Sequence, residues 1–374
     1  MARVAVVHNT LDFQGGADVV CLSVCAALLT DHDVTLYTLS ETDPDVLAER
    51  FDIDLDAGRL DVRIPTGGAA TSRILSAAAP IIGPQLPLRS VLVHRVFERD
   101  AAAFDLAVST ANEFGFSIPS VQYVHYPQFH TGGLPNGSSG AADRLWSRLA
   151  GPKPTAIRAD SVTLLANSAW TADVVGDVYG VEPTVLHPPV DPIDGRRDWD
   201  DREEGVVSVG RIAPDKRVLD AIRVVDGVRE RGCDVHLHIV GAAPKAYRRY
   251  VERVETAAAD RSYVTVERDV PRDRIEALLR THKYGLNLKP FEHFGLSVAE
   301  YVAAGMIAFA PDSGGQREVL DGRDDRLFES VGEAVELVAG AIEDDEPPVL
   351  SPDRFGSERF REAIRQTVRR RQSS

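Results

Sequence analysis

Short, almost wholly apolar runs, each ending in a loop and followed by helical spacing, recur along the 374 residues of this chain. Arg3 to Val7 is the first, rich in valine and lacking the polar alternation of a half-solvated strand. Such a run suits a parallel strand covered on both faces. Val34 to Leu39, Asp105 to Ser109, Val121 to Val124 and Ser161 to Ala166 repeat it in the first half. Val206 to Val209, Val235 to Val240, Tyr263 to Val266, Tyr284 to Leu288 and Met306 to Ala310 repeat it in the second. Strands alternating with helices are satisfied by a doubly wound α/β sheet with helices on both faces. The length exceeds what one core usually serves, so two such domains are expected. Residues 1–190 form the first, and 191–204, polar after Pro188 and Pro189, the linker. Residues 205–351 form the second, and 352–374 are a basic helical tail.

Open α/β sheets bind ligands beyond the carboxyl ends of their strands. The most informative loop there is Lys289 to Glu300. It leaves the run Tyr284 to Leu288, passes Pro290, and enters a helix opened by Gly295. Unpaired amides at such a terminus suit an anion, which nominates Gly295, Leu296 and Ser297. Glu292 lies before this helix and Glu300 about a turn and a half inside it, so they can reach opposite ends of one long ligand. Each alone also reads as a solvated charge. Arg211, at a strand's carboxyl end, and Lys216, at a helix start, are two cations five apart that can straddle a diphosphate. Gly15 and Gly16 follow the first strand, where backbone can approach a ligand. His125 follows the Val121 to Val124 strand, beside Tyr123 and Tyr126.

Glu292, Phe294-Gly295 and Glu300 form an E-x(7)-E pattern with internal F-G, and Gly210-Arg211 with Lys216 forms G-R-x(4)-K. These resemble the retaining glycosyltransferases of family 4, most strongly from Gly205 to Leu320. His125-Tyr126-Pro127 is similar to the segment of mannosyltransferases that extend lipid-linked oligosaccharides, and Pro188 to Asp191 to the family's hinge. The resemblance implies the GT-B fold, with two Rossmann-like domains facing across a cleft and the C-terminal helix crossing back to the first. It implies a nucleotide-diphospho-sugar donor, GDP-mannose or a UDP-sugar, and a glycan acceptor, polyprenyl-linked in the mannosyltransferase case. Arg211 and Lys216 would neutralise the departing diphosphate, Glu292 would hold sugar hydroxyls and Glu300 the ribose. His125 would line the sugar face, Val270 would lie near the base, and Gly15 and Gly16 would lie across from the diphosphate. With cations on the protein and no D-x-D-like pair in these loops, neither metal nor cofactor is expected. A nucleotide-sugar epimerase of related fold and a non-catalytic sugar-nucleotide-binding protein are the alternatives.

The net charge of −15 argues against nucleic acid as a partner. Five lysines against many arginines and aspartates resemble proteins adapted to high salt, or reflect a GC-biased acidic sequence. Cys21, Cys25 and Cys233 offer neither a disulfide framework nor a metal cluster. Met1 leads straight into a strand without a signal-peptide core, so a cytoplasmic protein is expected. Ile74 to Val93 is broken by Pro80, Gly83, Pro84 and Pro87 and cannot span a bilayer. In the longer stretch Thr71 to Arg99, Arg73, Arg89, Arg95 and Arg99 are interleaved with apolar residues. They form either a face for peripheral contact with an anionic membrane or solvated edges of helices packed on the sheet. Gln128 to Gly140 reads as a mobile Gly/Ser loop.

Overall fold

A computed structural model of the chain describes residues 1–65, 68, 70, 71, 73–75, 86–111, 113–127, 129, 151–244 and 247–373. Residues 76–85 of the apolar window and most of the Gly/Ser loop lie outside them. The chain divides into two compact units, Met1–Pro189 with Ser357–Ser374, and Val190–Gly356.

Among the described residues the first unit holds seven parallel strands: β1 (Arg3–Val7), β2 (Asp33–Tyr37), β3 (Asp61–Arg63), β4 (Leu106–Ser109), β5 (Ser120–Val124), β6 (Val162–Ala166) and β7 (Thr184–Val185). Their order is β3-β2-β1-β4-β5-β6-β7. Val4 to Val7 are all fully buried, as the apolar run requires. The Gly16–Leu29 helix packs on one face with Cys21 and Cys25 in its core. The helix Ser357–Gln372 belongs to the same core. Phe360, Ile364 and Val368 recur every fourth residue and make one buried stripe. On the other face the Leu86–Asp100 helix contributes Val93 and Phe97.

The second unit repeats the topology with β8 (Glu203–Val209), β9 (His236–Gly241), β10 (Val264–Arg268), β11 (His282–Leu286), β12 (Ile307–Pro311) and β13 (Leu327–Phe328), in the order β10-β9-β8-β11-β12-β13. The stretch 191–204 packs onto this unit. Arg196 donates to the Ala303 carbonyl at 3.0 Å, and Arg202 donates to those of Ala304 and Gly305 at 2.8 and 2.9 Å. These cations cap the carboxyl end of the Leu296–Ala303 helix, where the dipole favours them.

One expectation is corrected. Arg89, counted with Arg73, Arg95 and Arg99 as a surface cation, is fully buried. Its Nη1 donates to Thr10 Oγ1 at 3.2 Å and lies 3.6 Å from Asp12 Oδ2. A buried guanidinium needs such partners, and one so enclosed offers nothing to a membrane. Among the described residues no helix is long and apolar enough to cross a membrane.

Candidate functional site

In the second sheet the direction of winding reverses between β8 and β11, so the loops beyond these two strands flank the position where such sheets bind ligands. β8 runs out into Gly210, and β9 ends at Gly241, with φ of 155° and 153°. A Cβ on Gly241 would lie 1.9 Å from the Gly210 carbonyl oxygen, so the two strand ends meet backbone to backbone. Arg211 emerges there, and the turn Pro214–Lys216 follows. Arg211 reaches Asp215 at 3.3 Å and is half exposed. Tyr301, on the motif helix, accepts from the Val209 amide at 2.7 Å and covers Gly285, which fixes that helix beside the end of β8.

The loop from Asn287 to Gly295 is held by a buried amide. Gln316 donates to the carbonyls of Lys289 and Pro311 at 3.2 and 2.9 Å and accepts from Asn287 at 2.7 Å. Glu292 forms a backbone bridge with Gly314, and the Gly315 amide donates to the Glu292 carbonyl at 2.8 Å. Gly314 sits at φ 71°, and a Cβ there would be 2.4 Å from that carbonyl oxygen. Gly295, at φ 99°, caps the Leu296–Ala303 helix in the left-handed region that an L side chain rarely adopts.

This scaffold gathers charge. Lys216 Nζ makes a short contact with Glu292 Oε1, and Lys289 Nζ lies 3.6 Å from Glu292 Oε2 and 3.5 Å from Asp215 Oδ2. Arg211, Lys216 and Lys289 against Asp215 and Glu292 are three positive charges and two negative, a net of one positive, before any ligand arrives. Burial works to raise the Glu292 carboxyl, but Lys216 and Lys289 outweigh it and hold it below the usual carboxylate range. Glu292 is therefore an anion at neutral pH, able to accept from hydroxyls. Burial pushes the neighbouring His293 down to about 4, against the pull of Glu292, so this ring is neutral.

Glu300 is engaged in a way the sequence reading missed. Arg272, at the start of the Arg272–Thr281 helix, pairs closely with Glu300 and also meets Glu276 at 2.9 Å. Glu300 raises the pKa of this guanidinium, although burial works against it. Phe294 is buried edge-on to Phe355 at 5.2 Å between ring centres, so its side chain anchors the motif in the core. Leu296 and Val270 are part-buried against the same cluster, and Ser297 is part-exposed in the first turn of the helix.

In the first unit, Gly15 caps the Gly16–Leu29 helix, and its amide donates to Asp18 Oδ2 at 2.9 Å. Asp18 also holds His8 Nε2 at 3.0 Å, and His8 Nδ1 meets Thr110 Oγ1 at 3.0 Å. Burial opposes charging of His8, but Cys21 and Asp18 favour it and its pKa is raised. His125 follows β5, with its carbonyl accepting from Asn167 Nδ2 at 3.2 Å and its ring edge-on to Tyr123 at 5.1 Å. Tyr126 stacks on Trp170 at 5.7 Å. The structure thus brings Arg211, Lys216, Glu292 and the Gly295 turn together within the second unit. His125, Gly15 and Gly16 lie at carboxyl-end loops of the first. Lys289, Asp215, Arg272 and Gln316 were not singled out from the sequence; the signal available was that Lys289 shares the loop with Glu292.

Residues 191–350 match the family described as glycosyl transferases group 1. A Dictyostelium discoideum protein, "GDP-Man:Man(3)GlcNAc(2)-PP-Dol alpha-1,2-mannosyltransferase", is 26% identical over 189 residues, 45% of this chain and 37% of that one. Its Neurospora crassa namesake is 25% identical over 279 residues, 61% of this chain and 50% of that one. The chain spans half or less of the length of either relative. The crystal structure of Anabaena HepE, in complex with UDP and glucose, covers 99% of this chain and all of that one at 16% identity, with a TM-score of 0.66. The fold is that of the GT-B glycosyltransferases.

Proposed function

With residues 191–350 forming a glycosyltransferase group 1 domain, we propose that the chain is a retaining hexosyltransferase. Its donor is a nucleotide-diphospho-sugar, GDP-mannose or a UDP-sugar, and its acceptor is a glycan carried on a polyprenyl lipid. The observation that carries this reading is the cluster of Arg211, Lys216 and Lys289 about Glu292, beside a helix amino terminus at the sheet's switch point.

A diphosphate adds about two negative charges to a cluster with one positive in excess, so Coulomb attraction favours its binding. Charge grows on its bridging oxygen as the glycosidic bond breaks, and Arg211 and Lys216 then act more strongly on the transition state than on the bound donor. Glu292, kept ionised by its lysines, accepts from sugar hydroxyls, and Glu300, steadied by Arg272, from the ribose. Val270, Gly295, Leu296 and Ser297 contribute backbone; His125, Gly15 and Gly16 serve the sugar and acceptor side. No carboxylate in these motifs is placed as a base opposite the leaving group or as a nucleophile on the anomeric carbon. The acceptor oxygen therefore bonds to the anomeric carbon on the face the diphosphate leaves, and its proton passes to the departing phosphate oxygen. Protein cations do the work of charge neutralisation, so chelation with EDTA is expected to leave turnover largely intact.

The relatives' dolichol-linked substrates and the His125-Tyr126-Pro127 segment support the lipid-linked acceptor. The test is a panel of nucleotide sugars with and without a polyprenyl-linked acceptor, the product read by NMR of its anomeric proton. Transfer with unchanged configuration is expected. Inversion overturns the mechanism, isomerised donor identifies an epimerase, and binding without turnover removes the activity.

A further inference from the structure

At the amino ends of β8, β9 and β11, the edge of the second sheet remote from Arg211 and Lys216, three imidazoles meet. His236 and His238 alternate along β9 and so share one face; His282 opens β11. β8 lies between these strands, and its Gly205 is what lets the rings approach. A Cβ there would stand 2.5 Å from His236 Nε2 and 2.4 Å from His282 Cδ2. His236 Nε2 lies 3.0 Å from His282 Nε2, and one ring nitrogen from each of the three lies within 4.8 Å of the others. Glu203, at the start of β8, brings Oε2 to 3.7 and 3.8 Å from those two Nε2 atoms.

The surroundings orient two of the rings. His282 Nδ1 lies 2.9 Å from the Leu278 carbonyl, which only accepts, so Nδ1 carries the proton and Nε2 presents a lone pair. His238 Nδ1 meets Glu267 Oε1 at 3.0 Å, and that carboxylate is gripped by Arg274 at 2.7 and 2.9 Å. Its other ring nitrogen is likewise left with a lone pair. A carboxylate or a carbonyl behind each imidazole is how metal-ligating histidines are held.

We propose that His236, His238 and His282, completed by Glu203, bind one divalent transition-metal ion of the zinc class. Neutral imidazoles suit zinc, nickel, cobalt and copper rather than magnesium or calcium. Zinc–nitrogen bonds of about 2.0–2.1 Å in a tetrahedron set the ligand nitrogens roughly 3.3 Å apart, close to the His236 to His282 spacing. His282 is 2% exposed, His238 15% and His236 33%, so an ion enters from the side of His236 and Glu203. β8 runs from Glu203 to Val209, so about 20 Å separates this site from the cationic cluster. The ion would join three strands and act on stability, independently of any transfer reaction.

The test uses the full chain, stripped by chelator and titrated with Zn²⁺ alone in a calorimeter, with thermal unfolding in parallel. One equivalent with micromolar or tighter affinity and a raised Tm are expected. His236→Gln and Glu267→Gln each weaken binding by about 10- to 100-fold, the latter without touching a ligand. Wild type binding no more tightly than a His236→Gln/His238→Gln double variant overturns the site. Should that variant fail to fold, X-ray absorption at the zinc edge of the wild type decides. Imidazole scattering supports the assignment, and an oxygen shell without imidazole overturns it.

Discussion

The two units share one strand order, yet the loops at their switch points are built differently. Beyond β1 and β4, His8, Asp18, Thr110 and the Gly15 amide satisfy one another, and Arg89 is enclosed beside Asp12. Beyond β8 and β11, three cations and two carboxylates stand part-exposed on a backbone shaped by Gly210, Gly295 and Gly314. Topology decides where a ligand can bind; loop residues decide whether charge is consumed inside the protein or offered to an incoming anion. Charge held internally stabilises, and charge left partly solvated is free to bind.

The largest effect tests the enclosed charge. Arg89→Ala removes a fully buried guanidinium beside Asp12 and leaves its space unfilled, and is expected to destabilise by about 3–5 kcal/mol, whereas the exposed Arg95→Ala stays within about 0.5 kcal/mol; denaturant unfolding measures both. Equal costs would erase the contrast drawn for the first unit. Next, Lys216→Ala is expected to lower kcat for sugar transfer by about 10²–10³-fold. A rise in KM alone would mean that the cation grips donor and transition state equally.

Glycines sharpen the comparison further. Gly241→Ala drives a Cβ into the Gly210 carbonyl at φ 153° and is expected to cost roughly 2–4 kcal/mol. Gly15→Ala, at φ −117° with its nearest neighbour at 3.9 Å, stays under about 1 kcal/mol. The last effect is on pH. His293 charges near 6.5 when unfolded but only near 4 when folded, so the unfolded chain binds more protons between these values. Its contribution to stability is complete above about 6.5 and is lost as pH falls towards 4. It amounts to roughly 1–3 kcal/mol. The stability difference between wild type and His293→Asn should shrink through that window on acidification; a difference independent of pH would refute it.

Several elements were legible because their cause is local. The run Arg3 to Val7 is β1 as read, and Leu296 to Ala303 is the helix that Gly295 opens. The Arg89 error was local too: apolar spacing in the Leu86–Asp100 helix cannot reveal that one arginine turns inward, because its carboxylate partner comes from 77 residues earlier. Nothing near Arg272 in the chain announces its pairing with Glu300, 28 residues further on. The alternation of His236 and His238 was visible, but His282 and Gly205, which complete the cluster, lie on other strands.

The sequence by itself determined the alternation of apolar strands and helices, the two-domain α/β class and the loops where carboxylates, cations and glycines concentrate. These follow from side-chain period and backbone preference within a few residues, which solvent exclusion enforces in any such chain. Only the tertiary structure decided which charges meet: Lys216 with Glu292, Arg272 with Glu300, Arg89 with Asp12, three histidines across Gly205. An ion pair or a ligand set depends on distances of a few ångströms between residues far apart in the chain, and those distances exist only once the sheets have closed.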